Sequence, residues 1–363
     1  MKKLTYCFLA LVVFFTINLA IARHLVSNDG SEIVTEEIQF QHGENRLTGT
    51  LFRPGGGGPH PGVAFVLGSG AQQRTYGGVV TFLGKYFAQR GFVCVTWDKP
   101  GVGKSSGDFN SQTMVDRAEE ALAAVRFLHK RPEVDPRRVG LWGHSQGGTV
   151  VPLAAARSAD VAFIIDVCGW QGPGWRQDLT RVEAELRADN FSEADVRAAV
   201  EFASFRMKLI RGTGPFEELD RAQEKVESMV WFPYVHRCGE PLFYWARRNV
   251  EYDSTASWEQ VRCPVLVIFG DKDTSLGKYE PIADVIRDGL KKAGNKDLTI
   301  REFPQADHRL MSARTGGRKE AAANSVSRKQ DNDPEFVDGY LDLMTDWMSK
   351  RFLFIEKPRG RPD

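Results

Sequence analysis

A serine hydroxyl is a weak nucleophile unless a base takes its proton, and the base needs an acid to orient it. Three short segments of this chain carry those three residue types. Gly143-His144-Ser145-Gln146-Gly147 is a G-x-S-x-G. It directly follows a strand-like run from Arg138 to Trp142 and directly precedes a helical pattern over 146 to 158. Strand, sharp turn and helix in that order expose a serine Oγ at the carboxyl end of a strand, where open α/β sheets build their sites. Such a turn tolerates only small neighbours, and Gly143, Gly147 and Gly148 provide them. The helix that follows aims backbone N–H groups at any anion formed there.

Behind a serine on such a turn, the acid and then the histidine follow in chain order. The apolar run Pro264 to Phe269 leads into Gly270-Asp271-Lys272-Asp273, and Leu298 to Phe303 leads into Pro304-Gln305-Ala306-Asp307-His308. His308 is the only histidine after the acid candidates, so the order selects it as the base. Asp273 is the preferred acid; Asp271 competes, with bracing of the loop as its other role. His144 flanks the turn and cannot reach Oγ in line, and His236 reads as an ordinary surface or cap histidine. An oxyanion needs two donors. The backbone N–H of Gln146 is one candidate. The other lies in Gly68-Ser69-Gly70-Ala71-Gln72-Gln73-Arg74, with Ser69 preferred and Gly70 next. A Gly-Lys-Ser string at 103 to 105 suggests a nucleotide loop, but Asp98 stands where glycine is required and no long helix starts at Lys104. The glycines there read as a loop packed beneath the site.

These segments need a scaffold, and the rest of the pattern describes one. Residues 34 to 40 and 47 to 53 read as two strands around a turn at 42 to 45. Continuous apolar runs at 63–67, 92–97, 138–142 and 161–167 suit strands covered on both faces. Helical patterns at 79–90, 112–130 and 146–158 separate them. The alternation predicts a doubly wound, mostly parallel α/β sheet. It stops near 169 and resumes near 256 with strands at 264–269 and 298–303 and helices at 279–293 and 335–353. Residues 169–255 are helical in pattern and rich in aromatics, which predicts a cap inserted between core segments 23–168 and 256–363. The cap is expected to supply an apolar or aromatic pocket through Trp170, Trp231 or Tyr234. Residues 309–334 are polar and strand-free and read as a mobile surface loop with solvated charges.

Composition narrows the class further. The chain has 363 residues, 48 Lys+Arg against 47 Asp+Glu, and 42 % hydrophobic residues. That balance fits a globular core and argues against nucleic acid as the main partner. Residues 1–22 carry Lys2 and Lys3, an apolar stretch and a small-x-small pattern at Ala20 to Ala22. They read as a cleavable signal peptide, with Arg23 first in the mature chain and a secreted or periplasmic location. No stable membrane span is then expected after cleavage. Cys94, Cys168 and Cys263 lie in or beside apolar runs and read as free buried thiols; one bridge involving Cys238 stays open. No C-x-x-C pair supports zinc or thioredoxin chemistry.

The oxyanion-loop GSG at 68–70 with Arg74, DKPGVGKSSG at 98–107, RPEVDPRRVGLWGHSQGG at 131–148, GDKD at 270–273 and the DH pair at 307–308 resemble an α/β-hydrolase serine esterase. The resemblance covers about residues 35–165 and 260–350. It is to the bacterial branch related to dienelactone hydrolases and prolyl-oligopeptidase-like enzymes. It implies the α/β-hydrolase fold and hydrolysis of a small-molecule carboxylic ester without a cofactor. Ser145, Asp273 and His308 would then form the catalytic set, with Ser69 and Gln146 as oxyanion donors. Relatives often carry an acidic residue after the oxyanion loop, where this chain has Gln72 and Gln73. A peptidase or acyltransferase would share the triad, and a non-catalytic binding protein could keep the fold.

Overall fold

Apolar runs of strand length, separated by amphipathic helices, bury their surface best as a sheet with helices on both faces. The computed structural model describes residues 32–212, 215–237, 241–327 and 334–353. The expected signal segment 1–22 and Cys238 lie outside them. Strands β1 (Ile33–His42) and β2 (Asn45–Pro54) form an antiparallel hairpin. They are followed by β3 (His60–Val66), β4 (Val93–Trp97), β5 (Val134–His144), β6 (Ile164–Val167), β7 (Val265–Gly270) and β8 (Leu298–Phe303). The eight make one sheet in the order β1-β2-β4-β3-β5-β6-β7-β8. β3 through β8 run parallel, and β2 pairs antiparallel with β4. Every residue of β4 and β7 is buried, as strands covered on both faces require.

The helices in chain order are α1 (Val79–Ala88), α2 (Met114–His129), α3 (Gln146–Arg157), α4 (Gly174–Ala188), α5 (Glu193–Arg211), α6 (Phe216–Val226), α7 (Pro241–Asn249), the single turn α8 (Thr255–Trp258), α9 (Glu280–Ala293), α10 (Arg318–Ser327) and α11 (Tyr340–Phe352). α1 and α11 cover one face, tied by the Tyr86 hydroxyl donating to Asp342 at 2.8 Å. On the other face α2 packs on α3, α3 on α8, and α8 on α9. Thr113 and Asp116 close a capping box that fixes the start of α2. Cys94, Cys168 and Cys263 are free thiols.

Three expectations change in detail. β5 begins at Val134 rather than Arg138, because His60 pairs with Val134 across a register irregularity. The polar Asp135-Pro136-Arg137-Arg138 hides that start; Asp135 accepts from both arginines and so absorbs their charge locally. The last helix begins at Tyr340, after Gly339 with φ 80. The residues just before it are used for pairing instead, with Phe336 bridged to Met311 and Val337 N–H donating to the Leu310 carbonyl at 2.9 Å. Within 309–334 the chain forms α10 and is anchored. Glu320 accepts from the backbone N–H groups of Arg314, Thr315 and Gly316. Arg318 pairs with Glu185 at 2.9 Å, and Lys319 lies over the Phe191 ring.

Between β6 and β7 lie α4 to α8, of which α4 to α7 form the insertion, and the described residues there contain no strand. This insertion has its own core, including Val182, Leu186, Ala199, Phe202, Trp231 and Phe232. It is joined to the sheet layer where Asn249 accepts from Met114 N–H at 2.8 Å and donates to the Gln112 carbonyl at 3.0 Å.

The tightest passage of the core is where α3 leaves β5 beside β3. A Cβ at Gly147 would fall on the Val66 carbonyl oxygen, and one at Gly143 on the Gly147 carbonyl. Gly147→Ala should therefore cost about 3 kcal/mol in urea or thermal unfolding, the upper range for overpacking. Gly56→Ala, whose Cβ would meet nothing within 4 Å, should stay within about 0.5 kcal/mol of the parent.

Candidate active site

β5 delivers the serine. The strand ends at His144, and Ser145 takes φ 57 and ψ −122, a conformation that non-glycine residues rarely hold. Its backbone is fixed on both sides: Ser145 N–H donates to the Val167 carbonyl at 2.9 Å, and the Ser145 carbonyl accepts from Thr149 N–H at 3.3 Å. α3 starts at the next residue, so its positive end faces the hydroxyl. Gly68 approaches from the end of β3; a Cβ there would sit 3.3 Å from Ser145 Cβ.

β7 and β8 deliver the other two groups. Both strands end in register, Gly270 beside Phe303, and the loops beyond them meet over β5. His308 Nδ1 lies 2.8 Å from Asp273 Oδ2, and His308 Nε2 lies 2.9 Å from Ser145 Oγ. A carboxylate only accepts, so Nδ1 carries the proton in the neutral ring and Nε2 accepts from the serine hydroxyl. Asp273 is buried, and its other oxygen accepts from the N–H groups of Ser275 and Leu276 at 2.9 and 3.1 Å. Asp271 faces elsewhere: it accepts from Ala306 N–H at 3.3 Å and pairs with Lys272. It braces the loop that carries the histidine. Burial works against a charged imidazole at His308, but the Asp273 carboxylate and its hydrogen bond outweigh it and raise the pKa above the ordinary 6.5.

His144 has a role that its position in the sequence did not reveal. Its Nε2–H donates to the His308 carbonyl at 2.8 Å, so the residue before the serine holds the loop of the histidine. Burial, then the neighbouring His308, push the His144 pKa down to about 4 and keep the ring neutral. The Cys168 thiol lies beside Asp273, and burial together with that carboxylate keeps it protonated. Cys168, Asp273 and His308 have donor atoms all within 4.8 Å of one another, the one such group among the described residues. The Nδ1–carboxylate bond ties two of them to each other.

Ser69 and Gln146 line the same cavity as Ser145 and His308. The Ser69 loop is held by two buried basic side chains. Lys99 Nζ donates to the Gly68 carbonyl and, at 3.1 Å, to the Gly70 carbonyl. Arg117 donates to the Leu67 carbonyl at 2.9 Å and pairs with the buried Glu120. Burial, with the nearby Arg117 charge, pulls the Lys99 pKa well below the lysine range. Asp98 accepts from the N–H groups of Arg74 and Lys104, which shapes the loop after β4. Gln72 Nε2 donates to the Ser69 carbonyl at 2.9 Å, a bond no carboxylate at that position could make. Lys99 belongs to the DKPG string, whose glycines signalled a loop but not what its lysine holds.

The cavity has a volume of about 360 Å³ and extends from Ser145 under the insertion. Trp170 lines it, whereas Trp231 and Tyr234 are in the insertion's own core. The wall is mixed rather than apolar: Met114, Met207 and Trp245 share it with Asp178, Arg181, Arg206 and His236. His236 is thus a partly exposed cap histidine that also lines the cavity. Its pKa is pushed down to about 4 by burial and then by Arg181, so the ring is neutral. Asp178, Arg181 and Glu185 stand at helical spacing on α4, a pattern that in sequence resembles a solvated face.

An eight-stranded sheet of this order, with a serine on the turn after β5, defines an α/β hydrolase. The alpha/beta hydrolase family model matches residues 57–316, and the chain belongs to that family. Among curated proteins it is 25 % identical over 198 residues to an uncharacterised protein of the traX-finO intergenic region of Escherichia coli, covering 52 % of this chain and 65 % of that one. The chain thus spans just under two thirds of that relative's length. It is 31 % identical over 134 residues to a polyketide transferase of Penicillium crustosum, covering 36 % of this chain and 43 % of that one. Among solved structures, the α/β hydrolase GrgF from Penicillium sp. sh18 superposes with TM-score 0.54 at 17 % identity, over 88 % of this chain and 100 % of the other. At that identity the likeness is one of fold.

Two histidines in contact should titrate far apart. In proton or nitrogen NMR of the imidazoles, His308 should gain its proton above pH 6.5, and His144 only near pH 4. Asp273→Asn removes the charge that raises His308 and should move that titration to lower pH. His308 titrating below 6.5 in the parent would show that burial wins over the carboxylate.

Proposed function

We propose that this chain is a serine hydrolase acting on carboxylic esters. The observation that carries the reading is the continuous chain from Ser145 Oγ to His308 Nε2 at 2.9 Å and from His308 Nδ1 to Asp273 at 2.8 Å. Ser145 Oγ attacks the ester carbonyl while His308 Nε2 takes its proton, and Asp273 stabilises the imidazolium. The tetrahedral oxyanion is received by the backbone N–H of Gln146 at the start of α3 and that of Ser69 in the loop after β3. The intermediate collapses, the C–O bond to the alcohol breaks, and His308 returns the proton to the leaving oxygen. Water, deprotonated by His308, then releases the acyl group from Ser145. Lys99 and Arg117 act by holding the carbonyls of the oxyanion loop.

Acyl transfer to an alcohol or thiol would use the same acyl-enzyme. The Penicillium crustosum relative is called a polyketide transferase and an Arthrinium phaeospermum relative a thiohydrolase. Adding an alcohol acceptor to the assay separates the two, since transfer yields a new ester. Export is a separate proposal, resting on Lys2, Lys3, the apolar stretch and Ala20 to Ala22. Amino-terminal sequencing of the expressed protein should then begin at or within a few residues of Arg23; intact Met1 in the cytoplasm would overturn it.

A panel of p-nitrophenyl esters and aminoacyl anilides tests the activity. Esters should turn over in preference to anilides. Ser145→Ala and His308→Ala should each lose ~10⁴-fold or more, and the double variant little further. Asp273→Asn should be severe and Asp271→Asn mild. Lys99→Met should lower kcat more than it raises KM, by ~10-fold or more, because one misplaced oxyanion donor costs that much or more.

A further inference from the structure

The cavity beneath the insertion ends in a group of charges that the ester chemistry does not use. Asp178 and Arg181 on α4, Arg206 on α5 and His236 all line it together with Ser145 and His308. Arg181 donates to Asp178 at 2.7 Å, to Glu185 at 2.7 Å and to the Tyr234 carbonyl at 3.1 Å. Glu185 also receives Arg318 at 2.9 Å. Arg206 donates through Nη2 to the other Asp178 oxygen. Its Nε and Nη1 have no hydrogen-bond partner among the described residues and lie just behind the surface of the cavity wall, the whole residue being only 2 % exposed. Three guanidinium groups, of Arg181, Arg206 and Arg318, thus share two carboxylates, of Asp178 and Glu185. His236, 3.7 Å from Asp178, is neutral and adds no charge.

A buried cation with unspent donors is costly unless an anion completes it. A structural network that only joined α4 to α5 would be better served by balanced charges or by apolar contacts. The one excess positive charge lies in the wall of the cavity that opens on the nucleophile. We propose that this wall, centred on Arg206, receives a carboxylate carried by the substrate at the end remote from the scissile carbonyl. The substrate class is then an ester that bears a free carboxylate. Asp178 holds both arginines in place and keeps the site selective for a single negative charge. Met207, Trp245 and Val250 along the same cavity cover the apolar chain between the two ends. The inference rests on the ester-hydrolase reading for the scissile end only; binding of the carboxylate end can be measured without turnover.

The experiment uses matched ligands. Monomethyl adipate and 6-acetoxyhexanoate place a carboxylate on the acyl side and on the alcohol side; dimethyl adipate and methyl 6-acetoxyhexanoate are their neutral counterparts. Calorimetric binding to the Ser145→Ala protein should favour at least one anion over its neutral partner by about tenfold or more, as a charge-assisted bond to a buried guanidinium does. Combining Ser145→Ala with Arg206→Met should erase that ratio, and with Arg206→Lys should restore part of it. Equal affinity for both anions and their neutral partners overturns the proposal, and this comparison needs no change in the insertion. Selectivity that survives Arg206→Met in a folded protein also overturns it. A parallel assay of the wild-type protein on the same four esters keeps the two readings apart. Turnover without carboxylate preference in binding leaves the hydrolase and removes this inference. Carboxylate-selective binding without turnover does the reverse.

Discussion

A serine held at positive φ between a strand and a helix is the constraint around which this molecule is arranged. The conformation costs ~1–3 kcal/mol and persists only if the surroundings over-determine it. They do so with backbone rather than side chains. β5 is locked between β3 and β6, with Val66 beside Gly143 and His144 beside Val167. The turn can close because Gly147 packs on the Val66 carbonyl with no room for a Cβ. The parallel register places the ends of β7 and β8 at the same rim, so Asp273 and His308 arrive from loops only a few residues long. The order of the strands thus decides which side chains can meet Ser145.

Around that turn the chain buries more charge than a bare scaffold would need. Lys99, Arg117 and Glu120 sit at or below 2 % exposure behind the loop 67–70. Lys99 and Arg117 donate there to the backbone carbonyls of Leu67, Gly68 and Gly70. Buried polar contacts of this kind are expensive when broken and give rigidity when complete. His144 does the same for the histidine loop, and the low pKa of its buried ring keeps it a neutral donor. The site is therefore pre-organised from beneath, while the insertion above it contributes a wall of mixed character.

The sequence made the scaffold and the reacting groups readable for a physical reason. Parallel strands covered on both faces are continuous apolar runs, and a sharp turn between strand and helix needs glycines at fixed positions. Chain order then singled out His308, and the short loop after β7 narrowed the acid to two aspartates. What stayed hidden depends on contacts between segments far apart in the chain. His144 meets the His308 carbonyl, Lys99 meets Gly68, and Asp178 meets Arg206. A charge at helical spacing looks the same whether it faces water or another helix, so the charges of 309–334, where α10 forms, read as solvated, and those of α4 gave no sign of meeting one another. The aromatics of the insertion likewise do not reveal which of them serve its core, as Trp231 does, and which line the cavity, as Trp170 does.

The proposed chemistry stands on Ser145 being a nucleophile activated through His308. Intact-mass and peptide mapping after a fluorophosphonate probe tests it most directly, because the probe reacts only with a serine whose proton can be taken. One adduct per chain is expected, located on Ser145 and forming faster as pH rises through the His308 titration above 6.5. In a folded His308→Ala protein the adduct should form far more slowly. A folded wild-type protein that stays unlabelled, or is labelled at another residue, would contradict it.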